Sequence, residues 1–157
     1  PPELVWPWLL QIGYGRGGWY SYDWIDNDGK PSASRIFPEL QDLDVGDRID
    51  MVPGYGPEVI ELAPPRYLLA GDAESGTWCL ALYDTATGSR LVSRWRQAWN
   101  PEGLASRFFV ALAGPGAFIM ERRMLKGIKE RAESSAPASP RPTPARHVVL
   151  VPELQDA

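Results

Sequence analysis

Between residues 45 and 99 apolar side chains recur at every second position and are interrupted by turn residues at short intervals, a pattern that commits the stretch to strands. Thr77 to Tyr83 is the clearest run, with Trp78, Leu80 and Leu82 on one face. A turn over Asp84 to Ser89 follows it, and then a long strand, Arg90 to Trp99. Upstream, Asp47 to Val52 reads as a strand ended by Pro53-Gly54, Glu58 to Leu62 as another ended by Ala63-Pro64-Pro65, and Arg66 to Gly71 as a third. Strands in series joined by short turns form an antiparallel sheet.

Helices flank that sheet. Pro1-Pro2-Glu3 ahead of Leu4, Val5, Trp6, Trp8, Leu9 and Leu10 is a proline-initiated helix with an acid in its first turn, where the helix dipole favours it. Pro7 makes this helix short or bent. Gly13, Gly15, Gly17 and Gly18 end it. Trp19 to Ile25 reads as another helical turn or two, stopped by Asn27-Asp28-Gly29, and Ser34 to Leu40 as irregular or a single turn. Asn100-Pro101-Glu102 is an N-cap with proline at the first helical position, opening a helix through Leu104, Phe108, Phe109 and Leu112. Gly114-Pro115-Gly116 is expected to kink or interrupt it. From Ala117 to about Glu133 the helix resumes, with Met120, Met124 and Ile128 on one stripe and Arg122, Arg123, Lys126 and Lys129 on a solvated face. Ser134 to Ala145 is proline-rich and reads as a linker, and His147 to Val151 is a short strand-like run. The expected class is α+β.

Composition narrows the function. A chain of 157 residues with 44% hydrophobic content fits one domain with a core of ordinary size. A net charge of -4 offers no basic footprint for nucleic acid, so no nucleic-acid partner is expected. The lone cysteine, Cys79, excludes an internal disulfide framework and reads first as a small buried hydrophobe. No apolar run reaches the ~18 residues of a membrane span and no signal segment opens the chain, so a cytoplasmic location is expected. His147 is the single histidine, which removes a histidine-built triad or zinc site, and the aspartates from Asp26 to Asp50 lack calcium-loop spacing. Neither a metal nor a cofactor is expected.

The segment Gly13 to Gly29, GYGRGGWYSYDWIDNDG, holds five aromatic side chains between glycines. Connecting segments are ordinarily polar, so these rings either plug a core or line a concave surface. GYGRGG lacks the lysine and hydroxyl of a phosphate loop and does not follow a strand. Along Arg90 to Trp99, Leu91, Ser93, Trp95 and Trp99 alternate with Arg90, Arg94 and Arg96, and period two leaves open which face looks inward.

The pieces PPELVWPWLLQIGYGRGGWYSYDW, VGD-x-I, PPRYLL, the TW strand, RLVSRWR and FIMERRMLKGIKERAE resemble an actinobacterial-type, uncharacterised branch of the START-like superfamily known as SRPBCC, which includes polyketide cyclases. The resemblance covers roughly residues 1 to 133. It implies a helix-grip fold, a curved antiparallel sheet wrapped around a long C-terminal helix with a cavity between them, followed by a linker at 134–145 and a separate segment at 146–157. It also implies a first strand ahead of the PPELVW helix that has no counterpart here. A linker of a dozen residues reaches on the order of 20 Å, so the strand-like run 147–151 is expected to occupy that edge, in cis or swapped into a homodimer.

By the same resemblance the cavity takes a hydrophobic, aromatic or polycyclic small molecule. Its expected ligand-binding residues are Arg16, Trp19, Tyr20, Trp24, Trp78, Leu80, Arg94, Trp95, Phe108, Met120 and Met124, with Arg94 orienting a carboxylate or carbonyl. The alternative is a cyclase, dehydratase or isomerase in which Asp23 and Tyr22 handle protons. A third reading is a dimeric interaction module.

Overall fold

The computed structural model describes the backbone of residues 1–72, 74, 76–97 and 104–135, and the side chains of these except 104–113. The strand expected at 147–151, the linker beyond residue 135, the cap at Asn100-Pro101, Trp99 and the side chain of Phe108 lie outside the described residues. The elements run α1 (Pro2–Leu10), α2 (Asp23–Asp26), a 3-10 turn (Pro38–Leu40), β1 (Val59–Ala63), β2 (Tyr67–Asp72), β3 (Gly76–Thr85), β4 (Gly88–Gln97) and α3 (Leu104–Ser134). The four strands form one sheet in the order β1-β2-β3-β4, every neighbouring pair antiparallel. The protein is therefore α+β, a four-stranded antiparallel meander followed by a long helix.

The β3-β4 hairpin organises the sheet. Its ten-residue ladder runs without a bulge from Gly76 opposite Gln97 to Thr85 opposite Gly88, and it sets Trp78 across from Trp95, Leu80 from Ser93 and Leu82 from Leu91. Trp78, Leu80 and Leu82 are buried, as alternation along one face requires. Onto that face pack Trp6, Trp8 and Leu9 of α1 and the stripe Met124, Ile128 and Ala132 of α3, whose four-residue spacing places all three on one side of the helix. Leu68 and Ala70 of β2 and Val59 of β1 extend the same core. Fully burying a side chain of Leu or Ile size contributes about 1.5–3 kcal/mol, so this layer dominates the stability of the domain.

The structure overturns one local expectation and narrows another, for identifiable reasons. Asp47 to Val52 forms no strand: it holds isolated bridges between Arg48 and Glu58 and between Val52 and Tyr55. Pro53 and Pro57 bring no N–H to a ladder, and Gly56 crosses so close to Ile49 that a Cβ there would fall 2.0 Å from the Ile49 carbonyl oxygen. In place of a ladder, Ile49 donates to Pro57 O and Met51 to Tyr55 O. Pro115, in turn, does not interrupt α3, which is helical on both sides of it. A proline interior to a helix removes one backbone bond and crowds one carbonyl, a local cost that a 31-residue helix anchored downstream by its buried stripe absorbs. Among the described residues, no helix is long and apolar enough to cross a membrane.

Candidate functional site

The aromatic segment after α1 is held from several sides. Gly13 and Gly18 bridge to each other, and Arg16 donates from Nη2 to the carbonyls of Leu10 and Leu40, joining the end of α1 to the 3-10 turn. Gly18 has φ +81 and sits against Ser32, whose Oγ would lie 2.5 Å from a Cβ at that position. The glycine is thus a packing requirement. Tyr20, at φ 57, is fully buried and donates its hydroxyl to the Trp8 carbonyl, with the Arg131 guanidinium of α3 over its ring at 4.8 Å. Burial pushes the Tyr20 hydroxyl far above its ordinary pKa, against the opposing pull of Gln11, Arg131 and Arg16.

Beside this plug the chain opens a cleft of about 490 Å³ between β3-β4, the N-terminal half of the described face of α3 and the aromatic segment. Its walls are Trp19, Trp78 and Trp95, with Met120, Met124 and Phe118 facing them from α3. Trp78 and Trp95 stack with ring centroids 5.0 Å apart at 11°, as directly opposed cross-strand residues can, and Trp19 leans on Trp78 at 5.8 Å and 41°. Trp78 is 1% exposed, whereas Trp95, which also lines the cleft, is 44% exposed.

The polar side chains that line the cleft are Ser21, Gln97, Asp26 and Glu121, so its charged groups are acidic. The Trp78 indole N–H donates to Ser93 Oγ at 2.9 Å, and the Ser93 hydroxyl in turn donates to the Glu121 carboxylate. Asp26 lines the cleft beside Ser21, whose hydroxyl bonds the Met120 carbonyl of α3. Asp26 Oδ1 is buried and has no hydrogen-bond partner among the described residues. Burial, and then the charge of nearby Asp23, raise the Asp26 carboxyl above its ordinary pKa, while the Ser21 side chain and the backbone of the same turn pull it back.

The direction of that shift has a stability consequence. A raised folded-state pKa means that folding favours the protonated form, so Asp26 contributes stability below the unfolded value that is lost as pH rises through the folded one. Asp26→Asn is expected to raise the thermal midpoint by about 1–3 °C at pH 7, and to lose that gain below the ordinary aspartate value of 3.8. Thermal unfolding followed by circular dichroism at both pH values checks this. A gain of equal size at both would show that the carboxyl's charge is not the cause.

The structure brings together some of the residues expected from sequence and separates others. Trp19, Trp78, Trp95, Met120 and Met124 line the cleft. Leu80 and Tyr20 are core residues beneath it. Arg94 is exposed on the opposite face of β4, across from Cys79, because alternation that turns Ser93 and Trp95 inward must turn Arg94 out. Arg16 is occupied by two backbone carbonyls, and Trp24 is 76% exposed on α2. Tyr22 is half-buried at the N-cap of α2. Asp23, expected to move protons, spends both oxygens locally, Oδ2 accepting from Ser32 N and Oδ1 from Ser32 Oγ.

Sequence reasoning passed over Asp26 and Glu121. Asp26 carried a usable signal, since it lies three residues after Asp23, about one helical turn on. Glu121 carried one too, lying three residues before Met124 and seven before Ile128, the spacing of one helix face. Among the described residues, no cluster of histidine, cysteine and carboxylate side chains is arranged to hold a metal ion. Compared with protein families, with characterised proteins and with solved structures, the chain matches none.

Proposed function

We propose that the protein binds a hydrophobic small molecule, aromatic or polycyclic, in the cleft between the sheet and α3, and that its architecture is a helix-grip fold of the SRPBCC type. The observation that carries the reading is the stacked Trp78–Trp95 pair, with one indole buried and the other open in a cleft walled by Trp19 and two methionines. Such a surface is costly to leave in water, and it offers flat ring faces backed by polarisable thioethers that adapt to the shape of a ligand. A cleft of about 490 Å³ lies within the range that small-molecule sites occupy. The meander followed by a long helix supports the helix-grip architecture by its element order.

The test uses N-phenyl-1-naphthylamine, an uncharged aromatic fluorophore. Its emission should rise saturably with one site per chain, and Trp95→Ala should weaken that binding about tenfold, the contribution of one stacked ring face. Trp24→Ala, at an exposed position outside the cleft, should leave it unchanged. Linear, unsaturable enhancement, or equal loss in both variants, would overturn the reading.

A second reading is favoured by one observation, the raised pKa of Asp26 at the wall of the cleft. A carboxyl whose pKa is raised beside apolar surface suits general acid–base chemistry, as in a cyclase, dehydratase or isomerase, with Asp26 in the role expected of Asp23. Turnover of a polyketide-like or aromatic substrate that falls in Asp26→Asn while fluorophore affinity holds would favour this reading over carriage.

A further inference from the structure

We infer that the ligand of the cleft is an organic cation, an aromatic or polycyclic body carrying an ammonium or similar positive group. The inference rests on the small-molecule reading above and deepens it by assigning the ligand's charge. Three observations carry it.

The first is the sign of the polar groups. The charged side chains that line the cleft are Asp26 and Glu121, and among the described residues no lysine or arginine lines it. The described ion pairs, Arg48–Asp50, Arg123–Glu130 and Lys129–Glu133, engage neither of the two carboxyls. An anionic ligand would meet two acidic groups here and no compensating cation among the described residues, which costs more in a partly dry site than it does in water.

The second is the chemistry of the walls. Indole has the most electron-rich face of the natural side chains and attracts a cation placed within about 6 Å of the ring centroid. Three such rings meet in the cleft, Trp95 with much of its surface open. Aromatic rings next to carboxylates are the combination that recognises ammonium groups, because the ring faces replace hydration while the carboxylate supplies charge.

The third is how the acids are held. Glu121 is aimed by the relay from Trp78 through Ser93, in which the indole N–H occupies a serine lone pair and leaves the hydroxyl proton for the carboxylate. That relay fixes one carboxylate oxygen against the same indole that forms the wall. Asp26 lines the same cleft, and its Oδ1 has no hydrogen-bond partner among the described residues, so the carboxyl retains acceptor capacity for an ammonium N–H or a polarised N-methyl group. The two acids therefore line one aromatic cleft, Glu121 from α3 and Asp26 from α2.

The experiment compares three probes of one shape on the intact chain by tryptophan quenching: (naphthylmethyl)trimethylammonium, its uncharged carbon isostere neopentylnaphthalene, and the anion naphthylmethylsulfonate. The cation should bind about tenfold more tightly than the neutral isostere, and the anion should bind most weakly. Glu121→Gln retains a carbonyl for the Ser93 hydroxyl, and together with Asp26→Asn it should abolish the preference for the cation while leaving the neutral probe's affinity within about twofold. Near-ultraviolet circular dichroism of the double variant establishes that the tryptophan packing persists. If the neutral isostere binds as tightly as the cation to the unmodified protein, the charge assignment is overturned and the hydrophobic-ligand reading stands. If none of the three probes binds saturably, both fall.

Discussion

Trp78→Ala is expected to destabilise the domain by about 3–5 kcal/mol, the largest loss from any single truncation in the sheet, read as a fall in the urea midpoint at unchanged slope. Trp78 is 1% exposed, contacts Trp19 and Trp95 through its ring, and donates its indole N–H to Ser93. Truncation removes the apolar transfer term, opens a cavity in a layer that α1 and α3 prevent from collapsing, and leaves Ser93 Oγ without its donor. Trp95→Ala removes a ring of the same size from the same stack, but at a position already 44% in water. Its cost should therefore be nearer 1 kcal/mol, mostly the aromatic pairing itself. A loss below about 1.5 kcal/mol for Trp78→Ala would mean that the layer repacks, and that the wall of the cleft is softer than its stacking indicates.

Gly127→Ala is expected to cost about 2–3 kcal/mol, although alanine is the better helix former by about 1 kcal/mol. The two effects have opposite signs, and the geometry decides between them. A Cβ at 127 would lie 2.2 Å from the Tyr20 carbonyl oxygen and 3.0 Å from Tyr20 Cβ. Tyr20 cannot retreat, because its φ of 57, its bond to the Trp8 carbonyl and the Arg131 guanidinium over its ring hold it in place. α3 would have to move off the aromatic segment, opening the contact that buries Ile128 and that seats Arg131 against the Ala33 carbonyl. Gly116→Ala in the same helix provides the opposite sign: nothing lies within 4 Å of a Cβ there, so a gain of up to about 1 kcal/mol is expected. Chemical denaturation of both variants reads the contrast directly. A stabilised Gly127→Ala would show that α3 does not press on Tyr20.

Much of the fold was legible because its elements announce themselves through local periodicity. Period two over Thr77 to Tyr83 marked β3 and its buried face, and the Met124-Ile128 spacing marked the stripe of α3 that meets the sheet. The departures from local expectation were at places where a distant contact overrides the local pattern. Asp47 to Val52 has strand-like alternation, but the close crossing of Gly56 and the two flanking prolines leave it no continuous partner. Pro115 looks like a helix breaker, yet the helix it sits in is held by residues a turn or more away. The cleft divided in the same way: its tryptophans and methionines stood out by type and spacing, while its acids did not.

The amino-acid sequence alone determined that the chain makes an antiparallel meander followed by a long amphipathic helix, since alternation and helical stripes are properties of neighbouring residues. It also determined that Ser93 and Trp95 share one face of a strand and Arg94 the other. Tertiary structure decided which face is covered, because two faces of a strand are equivalent until α1 and α3 pack on one of them. That choice turned Arg94 to the outside and Glu121 toward Ser93, reversing the sign of the polar group expected at the cleft. It likewise gave Asp23 and Asp26 different surroundings. Both belong to one four-residue helix, but the bonds to Ser32 tie Asp23 into the loop and leave Asp26 at the wall of the cleft. The orientation of so short a helix comes from its anchors, which lie nine residues away in sequence at Ser32 and far along the chain in α3.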